Sequence, residues 1–339
     1  MNRKYTVAIA GATGAVGAEM LKVLEERNFP VASLKLLASA RSAGKKIKFC
    51  GEDVTVEELR HDSFNGVDIA LFSAGGSLSK EFRDSVVSSG TLMIDNSSAF
   101  RMDDDVPLII PEVNAHDMKK HKGVIANPNC STIIMLIAVA PLHRKFEIRR
   151  IVASTYQAAS GAGAKGMEEL ISQSRAVLDG ETAVPSVFVH PIAFNLIPQI
   201  DTFLDNGYTR EEMKMVYESR KILGCQELMV SCTCVRVPVV RAHSIALNLE
   251  FETGASPDMV REVLAESQGV EIVDDPSAHK YPMPLDASDK VNIFAGRIRQ
   301  DISLPDSKGI DMFISGDQVI KGAALNTVQI AELALSSEQ

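Results

Sequence analysis

Three glycines in seven residues, Gly11-Ala-Thr-Gly14-Ala-Val-Gly17, join a nearly continuous apolar run from Tyr5 to Ala10 to a segment whose apolar residues recur at helical spacing, Val16, Met20, Val23 and Leu24. Few folds accept a strand, a glycine-rich turn and a helix in that order at the start of a chain. Glycine lets the backbone approach a pyrophosphate, and the N–H groups and positive dipole end of the helix favour its charge. The bland alternative is a purely structural tight turn. Gly11, Thr13, Gly14, Ala15 and Val16 are therefore the candidate phosphate-loop contacts of a dinucleotide.

Further strand-like runs follow at Leu34–Ala38, Val67–Phe72, Thr91–Ile94 and Leu108–Ile110, with a helical stretch at Lys80–Ser88. Such alternation predicts an α/β fold, a Rossmann-like doubly wound parallel sheet. After Cys130 the pattern changes to α+β: a helix to about His143, a strand near Arg150–Ala158, a helix over Thr209–Leu223, and a long strand from Glu227 to Pro238 that continues through Val239 to Phe251. A helix at Pro257–Ser267, a strand at Asn292–Asp301 and a last helix over Gln318–Leu335 complete the reading. The expected domains are 1–129 with the returning segment 318–339, which bind the nucleotide, and 130–317, a catalytic and dimerisation domain.

Composition narrows the partners. The 339 residues carry a net charge of −9, and no dense Lys/Arg cluster interrupts it, which argues against nucleic acid and anionic membrane and for a small ligand. The longest apolar run, Ile133–Leu142, is about half of what a membrane-spanning helix requires. Five cysteines without framework spacing point to free thiols and a cytoplasmic location. Cys232-x-Cys234 lacks a second pair at zinc-ligand spacing, so no metal is expected.

In NAD-preferring domains an acidic residue about 20 positions beyond the glycines accepts the ribose hydroxyls. Here that strand ends instead in Ser39-Ala40-Arg41-Ser42, with Lys45 and Lys46 beyond. Cationic donors suit the 2′-phosphate of NADP, so Ala40, Arg41 and Ser42 join the candidate cofactor contacts, against the alternative of solvated loop charges.

Asn127-Pro-Asn129-Cys130-Ser131-Thr132 stands immediately before the apolar helix. A thiol at a helix N-terminus is stabilised as thiolate, which prepares a nucleophile, although a buried structural cysteine is an equal reading of the residues alone. Together with Tyr156-Gln157-Ala-Ala-Ser160-Gly161, Ser97-Ser-Ala-Phe-Arg101, Val106-Pro-Leu-Ile-Ile-Pro-Glu-Val-Asn114, Glu218-Ser-Arg-Lys221-Ile-Leu and Arg236-Val-Pro-Val-Val-Arg-Ala-His243-Ser244, in this order, the segment resembles the aspartate-β-semialdehyde dehydrogenase family over essentially the whole chain.

The resemblance implies NADP-dependent, phosphate-linked interconversion of L-aspartate 4-semialdehyde and L-aspartyl 4-phosphate in lysine, threonine and methionine biosynthesis. It implies Cys130 as nucleophile, His243 as general acid/base and Gln157 as the residue orienting the reacting carbonyl. Arg236 would clamp the substrate carboxylate and Glu218 receive its ammonium, while Arg101 and Lys221 would hold inorganic phosphate beside Asn129. Lys214, one turn earlier on the same helix, is an alternative phosphate ligand. Ser160, Gly161 and Gln318 would meet the nicotinamide end of the cofactor. A homodimer formed through an open sheet face is also implied. N-acetyl-γ-glutamyl-phosphate reductase shares the chemistry on an acetylated substrate, and a nucleotide-binding redox sensor would use Cys130 without the charged set.

Overall fold

In β1 (Tyr5–Ala10) the side chains of Val7, Ala8, Ile9 and Ala10 are all buried, the condition of a central strand in a parallel sheet. The structure, a computed structural model, describes residues 3–337. The chain continues through α1 (Ala15–Glu26), β2 (Val31–Ala38), β3 (Lys46–Phe49), β4 (Glu52–Glu58), β5 (Ile69–Phe72), α2 (Gly76–Ser88), β6 (Leu92–Asp95), the short α3 (Pro111–Asn114) and β7 (Val124–Ala126). The sheet order is β3-β4-β2-β1-β5-β6-β7, parallel except where β3 runs antiparallel to β4. The chain leaves β1 toward β2 on one side and reaches β5 on the other. The carboxyl ends of β1 and β5 therefore flank the switch point at which such sheets bind ligands.

Two sequence expectations change here. Leu108–Ile110 makes only an isolated bridge, Leu108 to Ala126, because Pro107 and Pro111 bracket it. The β3–β4 hairpin was not expected, since its strands are rich in charge and expose most of their residues.

The second compact unit begins at Cys130 and runs to Gly322. It contains α4 (Cys130–Phe146), β8 (Ile148–Gln157), α5 (Ala164–Leu178), α6 (Arg210–Leu223), β9 (Met229–Arg236), β10 (His243–Phe251), α7 (Pro257–Ala265), β11 (Val270–Ile272), α8 (Pro284–Ala287), β12 (Ile293–Gln300) and β13 (Gly309–Gly316). These strands form a mixed sheet in the order β11-β12-β13-β10-β8-β9. Helix α4 is apolar on every side and buried from Ser131 to Leu142, so it can only be the centre of a core. One sheet face packs on it: a Cβ on Gly316 would stand 3.4 Å from Ile134 of α4, in ordinary contact, and 2.4 Å from Ile293. The other face, with Val152, Ser154 and Tyr156, stays partly open.

The expected continuous strand from Glu227 to Phe251 breaks. Strand β9 stops at Arg236 and β10 starts at His243, and the intervening segment folds back, with Val239 O accepting from Ala159 N and Val240 O from Ser160 N. Pro238 cannot donate to a ladder, and Ala242 adopts φ +68° just before His243.

After a π-type turn, Ile320–Ala324, helix α9 (Leu325–Ser337) joins the first unit, to which the chain belongs again from Ala323. Arg27 grips Glu332 with two bonds of 2.7 and 2.6 Å, and the Asn326 amide donates to Ile109 O and Asn127 Oδ1. The expected return at Gln318 is thus five residues early: Gln318 stays in the second unit, bonded to Ala242 and Ser160.

Candidate active site

Strand register assembles a row of side chains at one end of the second sheet. Gln157 pairs with Arg236 across β8 and β9, Tyr156 pairs with Ser244 across β8 and β10, and His243 pairs with Gly316 across β10 and β13. One position beyond the Tyr156–Ser244 pair, His243 comes level with Gln157. Alternation along each strand turns Gln157, Arg236 and His243 to the buried side, and all three are nearly inaccessible.

Cys130 is the first residue of α4 and is partly accessible. Its helix end favours a thiolate. A Cβ on Gly322 would lie 2.8 Å from the Cys130 Cβ, so glycine is the residue that leaves the thiol its place. Arg236 feels the charge of Cys130 as well as that of Glu211. Its Nη1 donates to Ala158 O at 2.7 Å and its guanidinium lies over the Phe188 ring, 5.7 Å from the centroid. A buried, charged guanidinium is thereby held where the Cys130 thiol acts on it.

Helix α6 contributes the opposite charge. Its capping box fixes where it begins: Thr209 N donates to Glu212 Oε2 at 2.7 Å, and Glu212 N donates to Thr209 Oγ1. Glu212 is occupied there and by Cys234 N, which leaves Glu211 as the carboxylate facing the sheet end. Glu211 accepts from Gln157 Nε2 at 3.2 Å and from Lys214 Nζ at 3.1 Å. Burial alone would pull the Lys214 ammonium down, but Glu211 and Asp201 outweigh it and hold its pKa above the ordinary value.

The residues expected on this helix were Glu218 and Lys221, which stand two turns, roughly 10 Å, further along. Glu218 is buried there, while Glu211 and Lys214 stand on the turn that meets Gln157. Glu211 was not among the expected residues; Thr209-x-x-Glu212, which sets the helix start, is the signal that marks its turn. Cys232 and Cys234 are buried in β9, and burial pushes the Cys232 thiol up to about 12, so neither is a nucleophile.

His243 is fully buried at the start of β10. Its Nδ1 accepts from Ala158 N at 3.1 Å, and its Nε2 has no partner among the described residues. Burial first and Arg236 second hold its pKa well below the ordinary value, so the ring is neutral at physiological pH. A Cβ on Gly161 would meet Arg236 Nη1 at 2.6 Å and His243 Nε2 at 3.1 Å, so Gly161 closes directly over both groups. Gln318 donates to Ser160 Oγ and accepts from Ala242 N at 3.1 Å.

In the first unit, Gly11 adopts φ +87°, and a Cβ there would stand 2.4 Å from Ser73 O; one on Gly17 would stand 2.4 Å from Gly11 O. Helix α1 opens at Gly14 without a side-chain cap, as α2 does at Gly75. Thr13 and Gly14 are exposed, and Ala15 and Val16 half-buried. Such uncapped helix ends beside the sheet's switch point fit a dinucleotide pyrophosphate. Past β2, Ala40 and Arg41 are exposed and Ser42 is buried in a short turn, with no acidic side chain among them. Arg101 is buried, donating to Asn127 O at 3.0 Å and Asn96 O at 2.8 Å, and Asn129 is buried next to the thiol in sequence.

Two family models match the chain, the NAD binding domain of semialdehyde dehydrogenase over residues 6–121 and the semialdehyde dehydrogenase dimerisation domain over residues 139–321. An aspartate-semialdehyde dehydrogenase of Aquifex aeolicus is 53% identical over 333 residues, 97% of each chain. The chain belongs to the aspartate-semialdehyde dehydrogenase family. Among solved structures of the family, aspartate semialdehyde dehydrogenase II of Vibrio cholerae complexed with ASA matches with a TM-score of 0.96 at 45% identity, covering 99% of each chain. The enzyme of Candida albicans with NADP matches with a TM-score of 0.76 at 26% identity over 98% of each chain. Membership makes this chain an oxidoreductase whose first unit is a nucleotide-binding domain.

Proposed function

We propose that the chain interconverts L-aspartate 4-semialdehyde and L-aspartyl 4-phosphate with NADP and inorganic phosphate, through a thioester on Cys130, on the route to lysine, threonine and methionine. The observation that carries this reading is the grouping of Cys130, Arg236, Gln157, Glu211 and His243 within one unit, opposite charges for a small amino acid around a helix-end thiol. The Candida relative's NADP and the Arg41 loop support NADP over NAD. No disulfide joins the five cysteines, which suits a cytoplasmic enzyme. The matched dimerisation domain and the open face of the second sheet around Val152, Ser154 and Phe313 support a homodimer.

In this reading the Cys130 sulfur adds to the aldehyde carbon, and in the oxidative direction a phosphate oxygen later cleaves the thioester. The nicotinamide, when bound, accepts the hydride. Arg236 takes the substrate carboxylate through its planar fork, and Glu218 receives the ammonium. Gln157 is held by Glu211 so that its amide faces the reacting carbonyl. Lys221 is the phosphate ligand of this unit, with Lys214 as the alternative, and the resemblance gives Arg101 the same role. Ser160, Gly161 and Gln318 serve the nicotinamide end.

The test follows reduced nicotinamide by absorbance with L-aspartate 4-semialdehyde, with and without phosphate, and with N-acetyl-glutamate semialdehyde in parallel. Phosphate-dependent turnover of the first substrate alone is expected. Turnover of the acetylated aldehyde, whose amide cannot pair with Glu218, would move the assignment to that reductase; no turnover of either would leave the redox-sensor reading.

A further inference from the structure

Strand β13 ends at Gly316, and the carboxylate of the next residue, Asp317, is fully buried with both oxygens in use. Its Oδ1 accepts from Val319 N at 2.9 Å and from Ile320 N at 3.0 Å, as a helix N-capping side chain does. Asparagine or serine would cap as well. What calls for a carboxylate is Oδ2, which accepts from Arg241 Nε at 2.6 Å and from Asp289 N at 2.8 Å. These donors fill the roughly four lone-pair sites of a carboxylate, and the guanidinium supplies the opposite charge that a buried carboxylate needs. The two segments joined here both reach the surroundings of the thiol. In the turn, Gly322 N donates to Asp317 O at 3.1 Å, and Gly322 stands against Cys130. Arg241 lies in the segment that folds back between β9 and β10, where Val239 O and Val240 O hold Ala159 and Ser160.

We propose that Asp317 is a positioning residue for Cys130: paired with Arg241, it fixes the turn 317–322 to the segment before β10, so that Gly322 confines the Cys130 sulfur to the helix end. This deepens the reading of Cys130 as the nucleophile and rests on it. Asp317 acts through Gly322 and takes no part in bond making. A cysteine sulfur has three staggered positions about the Cα–Cβ bond, and backbone packed against Cβ removes the positions on its own side. Those that remain keep the sulfur by the first N–H groups of α4, whose field falls off within one turn. The cap sets the shape of the turn 317–322 but not its place, because Val319 and Ile320 belong to the turn itself. Arg241 sets its place. Arg241 is braced in turn by Asp289, whose Oδ1 lies 3.1 Å from Nη1 while its N–H donates to Asp317, so three side chains and one backbone group close a ring. Through the same turn Gln318 accepts from Ala242 N and donates to Ser160 Oγ.

The test reads the thiol in the intact enzyme without cofactor or aldehyde, as the pH dependence of Cys130 alkylation by iodoacetamide, located by peptide mass. Asp317→Asn keeps the capping oxygen and removes a negative charge. Loss of that charge alone would lower the pH midpoint, whereas a sulfur released from the helix end is expected to raise it by about half a unit or more. A midpoint that falls or does not move would overturn the proposal. The double variant Asp317→Asn/Arg241→Gln, whose side-chain amides can bond to each other, is expected to return to the parent midpoint, and no recovery would also count against the pair. In turnover, Asp317→Asn is expected to lose about 10- to 100-fold in kcat with KM for NADP within about threefold of the parent. Parent kcat per alkylatable Cys130 would make Asp317 a stability residue only. Should Asp317→Asn not fold, Arg241→Gln carries the test, since it leaves the cap and the carboxylate in place: about tenfold lower kcat is expected, and parent kcat would overturn the proposal. Absence of phosphate-dependent turnover in the parent enzyme would defeat the substrate reading and leave the alkylation result standing.

Discussion

The nucleotide end of the first unit and the thiol end of the second solve recognition in opposite ways. At the first, backbone does the work: Gly11 and Gly17 have no space for a Cβ, and helix α1 starts at Gly14 without a side-chain cap. At the second, side chains from β8, α6, β9 and β10 meet at one sheet end, Gln157 bonded to Glu211 and both Arg236 and His243 bonded to the backbone of Ala158. A backbone site is contiguous in sequence and tolerant of most side-chain changes except the arrival of a Cβ. A side-chain site is scattered in sequence and vulnerable at each member, because a misplacement of about 1 Å can lower the rate about 100-fold.

The largest effect that separates the two regions belongs to the nucleophile. Cys130→Ala is expected to lose about 10,000-fold or more in phosphate-dependent turnover while NADP titrations remain unchanged, since the thiol is no part of the phosphate loop. Retained turnover in that variant would end the covalent reading. Next comes the place where the second region borrows the strategy of the first. Gly322→Ala puts a methyl 2.8 Å from the Cys130 Cβ, so kcat should fall by about 100-fold with little change in thermal midpoint. An active Gly322→Ala enzyme would show that α4 or the π-type turn yields freely.

Two of the carboxylates of α6 sharpen the contrast further. Glu218→Gln removes the charge proposed for the ammonium and should raise KM for the semialdehyde by about 10- to 100-fold, the worth of one bond to a charged group. Glu211→Gln, two turns nearer the helix start, removes the partner of Gln157 and Lys214 and should raise KM less than Glu218→Gln does. The reverse result would move the ammonium to Glu211.

What could be read from the sequence follows the same division. Strands β1, β2, β5 and β6 and the helices α1 and α2 were visible because a parallel sheet buries near-continuous apolar runs and its loops are short. The glycine-rich turn between β1 and α1 was visible because all its members are adjacent. Cys130 was visible as a thiol opening an apolar helix. His243 and Arg236, by contrast, have ordinary local surroundings; only register brings them level with Gln157, and only motif order pointed to them. Glu211 could not be picked out beside Glu218, because i, i+3 charge pairs look alike on any turn of a helix, and which turn meets Gln157 is a tertiary fact. The break between β9 and β10 was missed because one positive-φ alanine, Ala242, ends a run that is otherwise strand-like.

Arg41 tests the first region where it does rely on a side chain. It is exposed on the turn after β2, so Arg41→Ala should leave folding alone. If its guanidinium meets the 2′-phosphate, KM for NADP should rise by about tenfold and KM for NAD should not move. An equal shift for both cofactors would assign the charge to general attraction and return the specificity question to the backbone.

The smallest effect concerns what holds the second region's side chains from behind. Glu169 on α5 is buried and accepts from the Ser186 hydroxyl at 2.6 Å and from the N–H groups of Ser186, Val187 and Phe188, the last of these lying over Arg236. Burial alone would raise its carboxyl, but these donors outweigh burial and hold its pKa below the ordinary value. A carboxylate depressed in the folded state contributes stability above its unfolded pKa of about 4.3, and that contribution is lost as pH falls through the folded value. Glu169→Gln should therefore lower the Tm by about 2 °C at neutral pH, with the gap to the parent closing as the pH drops below about 4. Because the loop carries Phe188, kcat should fall only slightly and KM for the semialdehyde should rise more, the pattern of a loosened carboxylate clamp. A gap in Tm that stays constant with pH would show that Glu169 holds the loop by packing, and that its charge is not what keeps Phe188 over Arg236.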